Sequence, residues 1–408
     1  MSSSRPAASY AAVLRLPHAR RTFGAALFGR LGYGVVSLSL VLSLTTATGS
    51  LSGGGLLTTL FAGFSVALGP ARAALIDHWG PRRALPVLAF PFAGGLFALA
   101  AVVRHPGAPW WPLAVLVTLT GASCPPLGPT MRALWSALAP DKALLQRAFS
   151  LDTVAEELIF LTGPLLVVAV HPVRGLVLSG ALVASGAVAM VSSPAARLIA
   201  PRTREQARPL GLLGSAGAGV RRAAYAAAGA GCCLGGVYLY VIAYADRHHH
   251  PAAVGWILAA QSAGSALGGL LYGRVAWRRT AAARLPYLLL GLATLLAITA
   301  TAPSVPLLGL GVAATGTLMS PLLSTAYLAA DAQAPEGTAT RATAWVNSAV
   351  NAGSSAGGAA ASLLVARVPL PLCFVLTAAA PLCTALAARA PRRAAARPGG
   401  AVATEPVA

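Results

Sequence analysis

The chain is 408 residues long, with 56% of it drawn from the apolar set AVILMFWYC and only 10% charged, against about 25% charged residues in an ordinary soluble domain. With a mean hydropathy of +0.71, this composition leaves too little polar surface for a water-soluble fold and too much apolar content for disorder, and its five scattered cysteines make no disulfide scaffold. The formal charge of +20 lies in short arginine clusters between long apolar runs, without aromatic interleaving or a basic face, which excludes a nucleic-acid partner and fits a polytopic membrane protein.

A helix crosses a bilayer with about 20 apolar residues. Runs bounded by charge, Pro or Gly predict twelve spans: 22–47, 56–76, 84–103, 111–133, 144–170, 174–194, 222–244, 252–273, 285–301, 306–330, 341–366 and 369–389. Residues 1–21 form an N-terminal tail, and the first apolar run is too long for the h-region of a signal peptide. Span 1 carries Arg30 and Tyr33. Between spans 2 and 3 stands ALIDHWGPRRAL, residues 74–85, with Asp77 at a helix end and Gly80 where a tight turn is needed. Asp77 there can accept hydrogen bonds from a neighbouring helix N-terminus or pair with an arginine.

Span 5 holds Asp152, Glu156 and Glu157. Asp152 and Glu156 share a face at i, i+4, Gly163 lies on the same side, and Glu157 points about 100° away. At roughly 1.5 Å per residue, Arg30 and Glu156 lie at a similar depth of roughly 12–18 Å. Ionisable groups at such depth are costly and are either functional or paired. After span 6 the linker 195–221, rich in Arg, Pro and Gly, divides a six-span bundle at 22–194 from a second at 222–390, which is followed by the tail 391–408. The halves repeat: Gly121, Pro126 and Pro140 return as Gly316, Pro321 and Pro335, and Arg147 and Gly163 return as Arg341 and Gly357.

In the second half, His248–His250 follow span 7 as a solvated loop, because consecutive histidines do not converge on one ion. Span 8 carries Gln261, Ser265 and Gly268. Span 10 carries Ser320, Ser324, Tyr327 and Asp331, and span 11 carries Trp345, Asn347, Asn351, Ser354 and Ser355. Gln261, Asn347 and Asn351, with Tyr33, Tyr327 and Trp345, are the candidate lining of a substrate cavity. Glycines such as Gly268 and Gly357 mark close helix packing. Cys124, Cys232, Cys233, Cys373 and Cys383 lie in apolar runs as packing residues. There is no phosphate-cradling loop followed by Lys-Ser/Thr and no His-Glu-x-x-His, so neither ATP drive, nor a metal or cofactor, nor enzyme chemistry is predicted.

Segment 73–85 resembles the cytoplasmic loop signature of the major facilitator superfamily, G-x-L-a-D-R-x-G-R-K/R. Leu75, Asp77, Gly80 and Arg82 fall on the pattern, while Ala73, His78 and Pro81 depart from it. Span count and half-repeat extend the resemblance over residues 22–390. It implies an all-α fold of two six-helix bundles around a central cavity open alternately to each side. It also implies a loop (Asp77, Gly80, Arg82, Arg83) that latches the halves in the outward-facing state. The second-half loop YGRVAWRR, 272–279, lacks the acid. Helices 1 and 5 are neighbours in the family, which implies a pair between Arg30 and Glu156 or Glu157. Two carboxylates beside one arginine cannot both ionise cheaply, so one would carry a proton. A structural ion pair and a site for a cationic substrate are the competing readings. Gly163–Pro164 resembles part of the Gly-Pro signature on span 5 of family antiporters, which favours export.

With the N-terminus inside, 25 basic residues fall on the cytoplasmic side and four, Arg104, Arg174, Arg247 and Arg367, on the other, which places both termini inside. The expectation is a monomeric plasma-membrane carrier exporting a small amphipathic organic molecule, with protons as coupling ion. A metabolite importer or facilitator is the alternative within transport. A non-transporting membrane sensor or scaffold is the alternative outside it, and would call for a soluble output domain.

Overall fold

The computed structural model describes residues 9–104, 109–199, 217–250 and 253–389, and every extended element among them is helical. The first half runs α1 (Tyr10–Leu14), α2 (Ala19–Thr48), α3 (Leu51–Ala67), α4 (Gly69–Trp79), α5 (Pro81–Val102), α6 (Trp110–Ser123), α7 (Leu127–Leu138), α8 (Lys142–Val170) and α9 (Pro172–Val191). The second runs α10 (Ala218–Arg247), α11 (Ala253–Arg274), α12 (Ala281–Thr299), α13 (Val305–Asp331), α14 (Ala339–Val365) and α15 (Leu370–Arg389). Most of the predicted linker and tails, at 1–8, 200–216 and 390–408, lies outside the described residues.

Among the described residues nine helices are long and apolar enough to cross a bilayer, and the pair α3/α4, bent by 42°, makes a tenth. The bend falls at Leu68, just before Gly69–Pro70, where proline removes a backbone donor and crowds the preceding turn. The predicted fourth span is broken into α6 and α7, because Cys124–Pro125–Pro126 cannot continue a helix; the residue before a proline is pushed to extended geometry, and Cys124 has ψ 113. The predicted eleventh span is α14, a continuous helix whose Asn, Ser and Thr residues lower its hydropathy. Caps fix the starts: Ser50 accepts from the Gly53 amide at 3.3 Å and Asp141 from the Leu144 amide at 2.8 Å. Gly80 takes φ 76 between α4 and α5, in the region of backbone space that favours glycine.

Glycine sets how closely the helices approach. Gly34 of α2 lies backbone to backbone against Gly163 of α8, and Gly29 against Gly186 of α9. In the second half, Gly231 and Gly235 of α10 face the Val350 and Ser354 carbonyls, while Gly353 and Gly357 of α14 face those of Ala228 and Cys232. A Cβ at any of these positions except Gly29, where it would meet the Leu127 side chain first, would collide with main chain. The repeat seen in sequence recurs as contacts: Gly121 meets the Phe61 carbonyl, and Gly316 meets that of Gln261. Large apolar side chains such as Trp256, Val168 and Leu165 are exposed, at 80%, 80% and 66%, a surface suited to lipid.

Candidate functional site

Four charged side chains meet inside the first half. The Arg30 guanidinium of α2 contacts Asp152 at 2.8 Å and Glu156 at 3.1 Å. A second arginine, Arg132 of α7, contacts the same two carboxylates at 2.9 and 2.5 Å. Arg30, Arg132 and Asp152 are almost wholly buried, and Glu156 is 25% exposed. The formal charges cancel, so the expected surplus of carboxylate over arginine does not exist here. Arg132 also lies over the Tyr327 ring of α13, 3.6 Å from its centroid, and the Tyr327 hydroxyl donates to Asn347 Oδ1 at 3.3 Å. The cluster thus reaches across to the second half.

Glu157 does not pair with Arg30. It points to α11, where the Ser265 hydroxyl donates to its Oε1 at 3.0 Å, and among the described residues it has no cationic partner within 4.0 Å. Its 100° offset from Glu156 turns it out of the arginine cluster and onto the boundary between the halves.

The hydrogen bonds joining the halves gather at the end of the bundle that holds Asp77. The buried Asp77 carboxylate accepts from the Thr340 amide at 3.3 Å and the Arg341 amide at 3.0 Å, first-turn donors of α14 that have no acceptor within the helix. Gly80 makes the following turn, and Arg82 and Arg83 are exposed. The pseudo-equivalent contact uses other chemistry. At the start of α8, Gln146 donates to the Tyr272 and Val275 carbonyls, both at 3.2 Å, and Arg147 donates to that of Arg274 at 3.3 Å. Arg284 holds Gln146 by donating to its Oε1 at 3.2 Å, and donates to the Tyr272 hydroxyl at 2.8 Å. Tyr10 of α1 donates to the Leu270 carbonyl at 2.6 Å; burial pushes its phenol above the ordinary value, so it stays a donor. Nearer mid-depth, the Thr153 and Ser320 hydroxyls bond at 2.8 Å.

The remaining cavity candidates separate. Tyr33 belongs to the first half, donating to the Pro125 carbonyl at the α6/α7 break and standing edge-on to Phe92. Asn351 is exposed and donates to the Asn347 carbonyl at 2.8 Å. Trp345 is half-buried, with an indole nitrogen lacking a partner. Gln261 is buried at a separate cavity between α10, α11 and α14. Beyond the membrane-spanning parts, His248 stacks on Tyr244.

Sequence reasoning missed Arg72 and Arg132, counting both among the arginines of the cytoplasmic side. Arg72 is buried and donates to the Gly121 carbonyl at 2.6 Å and to Ser65, closing the carbonyl ends of α6 and α3. The available signal was position: Arg132 is the sole charge in the run LGPTMRALW, inside predicted span 4 rather than in the loop that follows it. Removing both from the charge count leaves its asymmetry unchanged in direction.

A sequence profile described as the Major Facilitator Superfamily matches residues 22–253, and no curated protein matches the sequence significantly. Among solved structures, a human organic anion transporter aligns with a TM-score of 0.68 at 16% identity, over 91% of this chain and 99% of that one. A bacterial homologue of the iron transporter ferroportin, in an outward-facing state, aligns with 0.71 at 15% identity over 90% and 96%. The E. coli fucose:proton symporter aligns with 0.61 at 14% identity over 90% and 98%. Identities this low speak to fold alone.

Proposed function

The chain belongs to the major facilitator superfamily, and from that premise we propose that it is a secondary active carrier that exports a small amphipathic organic compound in exchange for protons by alternating access. The observation that carries the reading is Glu157. Its carboxylate lies at the boundary between the halves and has a hydroxyl as its partner, so it can gain or lose a proton without stranding a buried cation. Glu156 and Asp152 cannot, because each is tied to two arginines and protonation would leave positive charge uncompensated in low dielectric.

Alternating access is supported by the clustering of cross-half hydrogen bonds at the Asp77 end. We assign that end to the cytoplasm from the arginine asymmetry, which makes the conformation outward-facing, with Asp77 as latch, twelve spans, both termini inside and the plasma membrane as location. A monomer suffices for this cycle. Gly163–Pro164 on α8 supports export.

The test is transport in inverted vesicles under an imposed pH gradient, using a labelled panel of amphipathic compounds. The Glu157→Gln carrier is expected to lose gradient-driven accumulation, by at least tenfold, while retaining exchange of labelled for unlabelled compound. Driven accumulation by Glu157→Gln equal to wild type at equal expression would overturn the assignment.

A further inference from the structure

The second half holds a cavity of about 390 Å³ between α10, α11 and α14, and among the described residues no Asp, Glu, Lys, Arg or His lines it. Its lining includes Tyr238, Leu234, Ser354, Ser355 and Gln261. The floor is the α10/α14 glycine seam, where Gly235 lies against the Ser354 carbonyl. The volume falls within the roughly 300–1,000 Å³ typical of small-molecule sites.

Gln261 gives the cavity a recognition group. It is 7% exposed, and its amide nitrogen is buried without a hydrogen-bond partner. A buried amide is almost always satisfied, and leaving one unmade costs free energy that a bound molecule can recover. Rotation about the last torsion presents either the N–H or the C=O end to the cavity. Tyr238 is 51% exposed, an aromatic surface available for stacking.

Charge decides the ligand class. Arg30 and Arg132 neutralise Asp152 and Glu156, the Glu157 carboxylate is engaged by Ser265, and this wall carries no charged side chain, so an ionised ligand would be stripped of water without compensation. We infer that this cavity binds an uncharged aromatic molecule carrying one N–H, carbonyl or hydroxyl group, oriented by the Gln261 carboxamide. The inference rests on the reading that the carrier handles small amphipathic organic compounds, and it narrows that class to neutral ones.

The test is equilibrium dialysis of the full chain in nanodiscs against empty nanodiscs, without a proton gradient. The probes are neutral N-phenylnaphthylamine, its anionic analogue anilinonaphthalenesulfonate, and tetraphenylphosphonium as a lipophilic cation. Wild type is expected to bind the neutral probe saturably and the two ions at least tenfold more weakly. Gln261→Leu, close to isosteric, weakens the neutral probe by about 3- to 10-fold, the range of one net neutral hydrogen bond. Gln261→Glu gains tetraphenylphosphonium binding. Ala359→Trp, at an exposed lining position where folding is undisturbed, abolishes binding of the neutral probe. Three results overturn the inference: no saturable excess over empty nanodiscs, sulfonate binding as tight as that of the neutral probe, or unchanged binding in Ala359→Trp. Because no gradient is applied, failure here leaves the Glu157 result standing, and failure of proton coupling leaves this result standing.

Discussion

Arg132 changes the meaning of the residues around it. With Arg30 alone, Asp152 and Glu156 would compete for one cation; with two guanidinium groups at 2.5–3.1 Å, the four charges form a closed set. Such a set contributes little net stability, since desolvation offsets attraction, but breaking it is expensive. Arg132→Met or Asp152→Asn alone is expected to cost about 3–5 kcal/mol, read as a lowered melting temperature of purified protein. The combined variant Arg30→Met, Arg132→Met, Asp152→Asn, Glu156→Gln should recover most of that loss, and a quadruple variant no more stable than the singles would refute the closed-set picture. Depth and helical phase made Arg30, Asp152 and Glu156 legible as neighbours in the sequence. The partner of Glu157 was not legible, because a 100° step on one helix says which way a side chain leaves the cluster but not what waits across a boundary formed by tertiary packing.

Helix breaks show the same division. Cys124–Pro125–Pro126 and Gly69–Pro70 announce interruptions through backbone chemistry that is local to the chain, whereas the 42° angle at the second depends on the helices packed around it. Glycines were legible as packing residues, yet only the fold shows that Gly231, Gly235, Gly353 and Gly357 make one seam between α10 and α14. The Asp77 loop was legible as a motif, and its contact with the start of α14 follows from the electrostatics of first-turn amides. Asp77→Asn replaces two charge-assisted hydrogen bonds with at most neutral ones, which are roughly half as strong. It should leave expression near normal and reduce transport several-fold, measured as initial uptake rate per carrier. Transport equal to wild type would remove the latch from the mechanism.

At the scale of the whole molecule, the six-plus-six repeat was readable from residues about 195 apart, and both halves use their repeated glycines for equivalent contacts. The linker between them lies largely outside the described residues, so the arginine asymmetry carries the orientation. Reporter fusions at residue 208 and at the C-terminus are expected to report a cytoplasmic location; an external signal at either would overturn the proposed orientation. The sequence displays that the second-half loop lacks the acid, but not what replaces it. Asp77 serves one half, and an amide–guanidinium–tyrosine group (Gln146, Arg284 and Tyr272) serves the other, since the equivalent loop has no acid and its carbonyls need donors in place of an acceptor.

That inequality bears on time. In the proposed cycle the interval during which the carrier faces outward is the interval in which cargo can leave, and its length is governed by how fast the Asp77 end comes apart. Each 1.4 kcal/mol removed from that barrier shortens the interval about tenfold. A carrier with a weakened carboxylate contact would therefore turn back before emptying, cycling briskly while carrying part of its cargo home. Its fault would appear as less net export per cycle, before it appeared as any loss of binding.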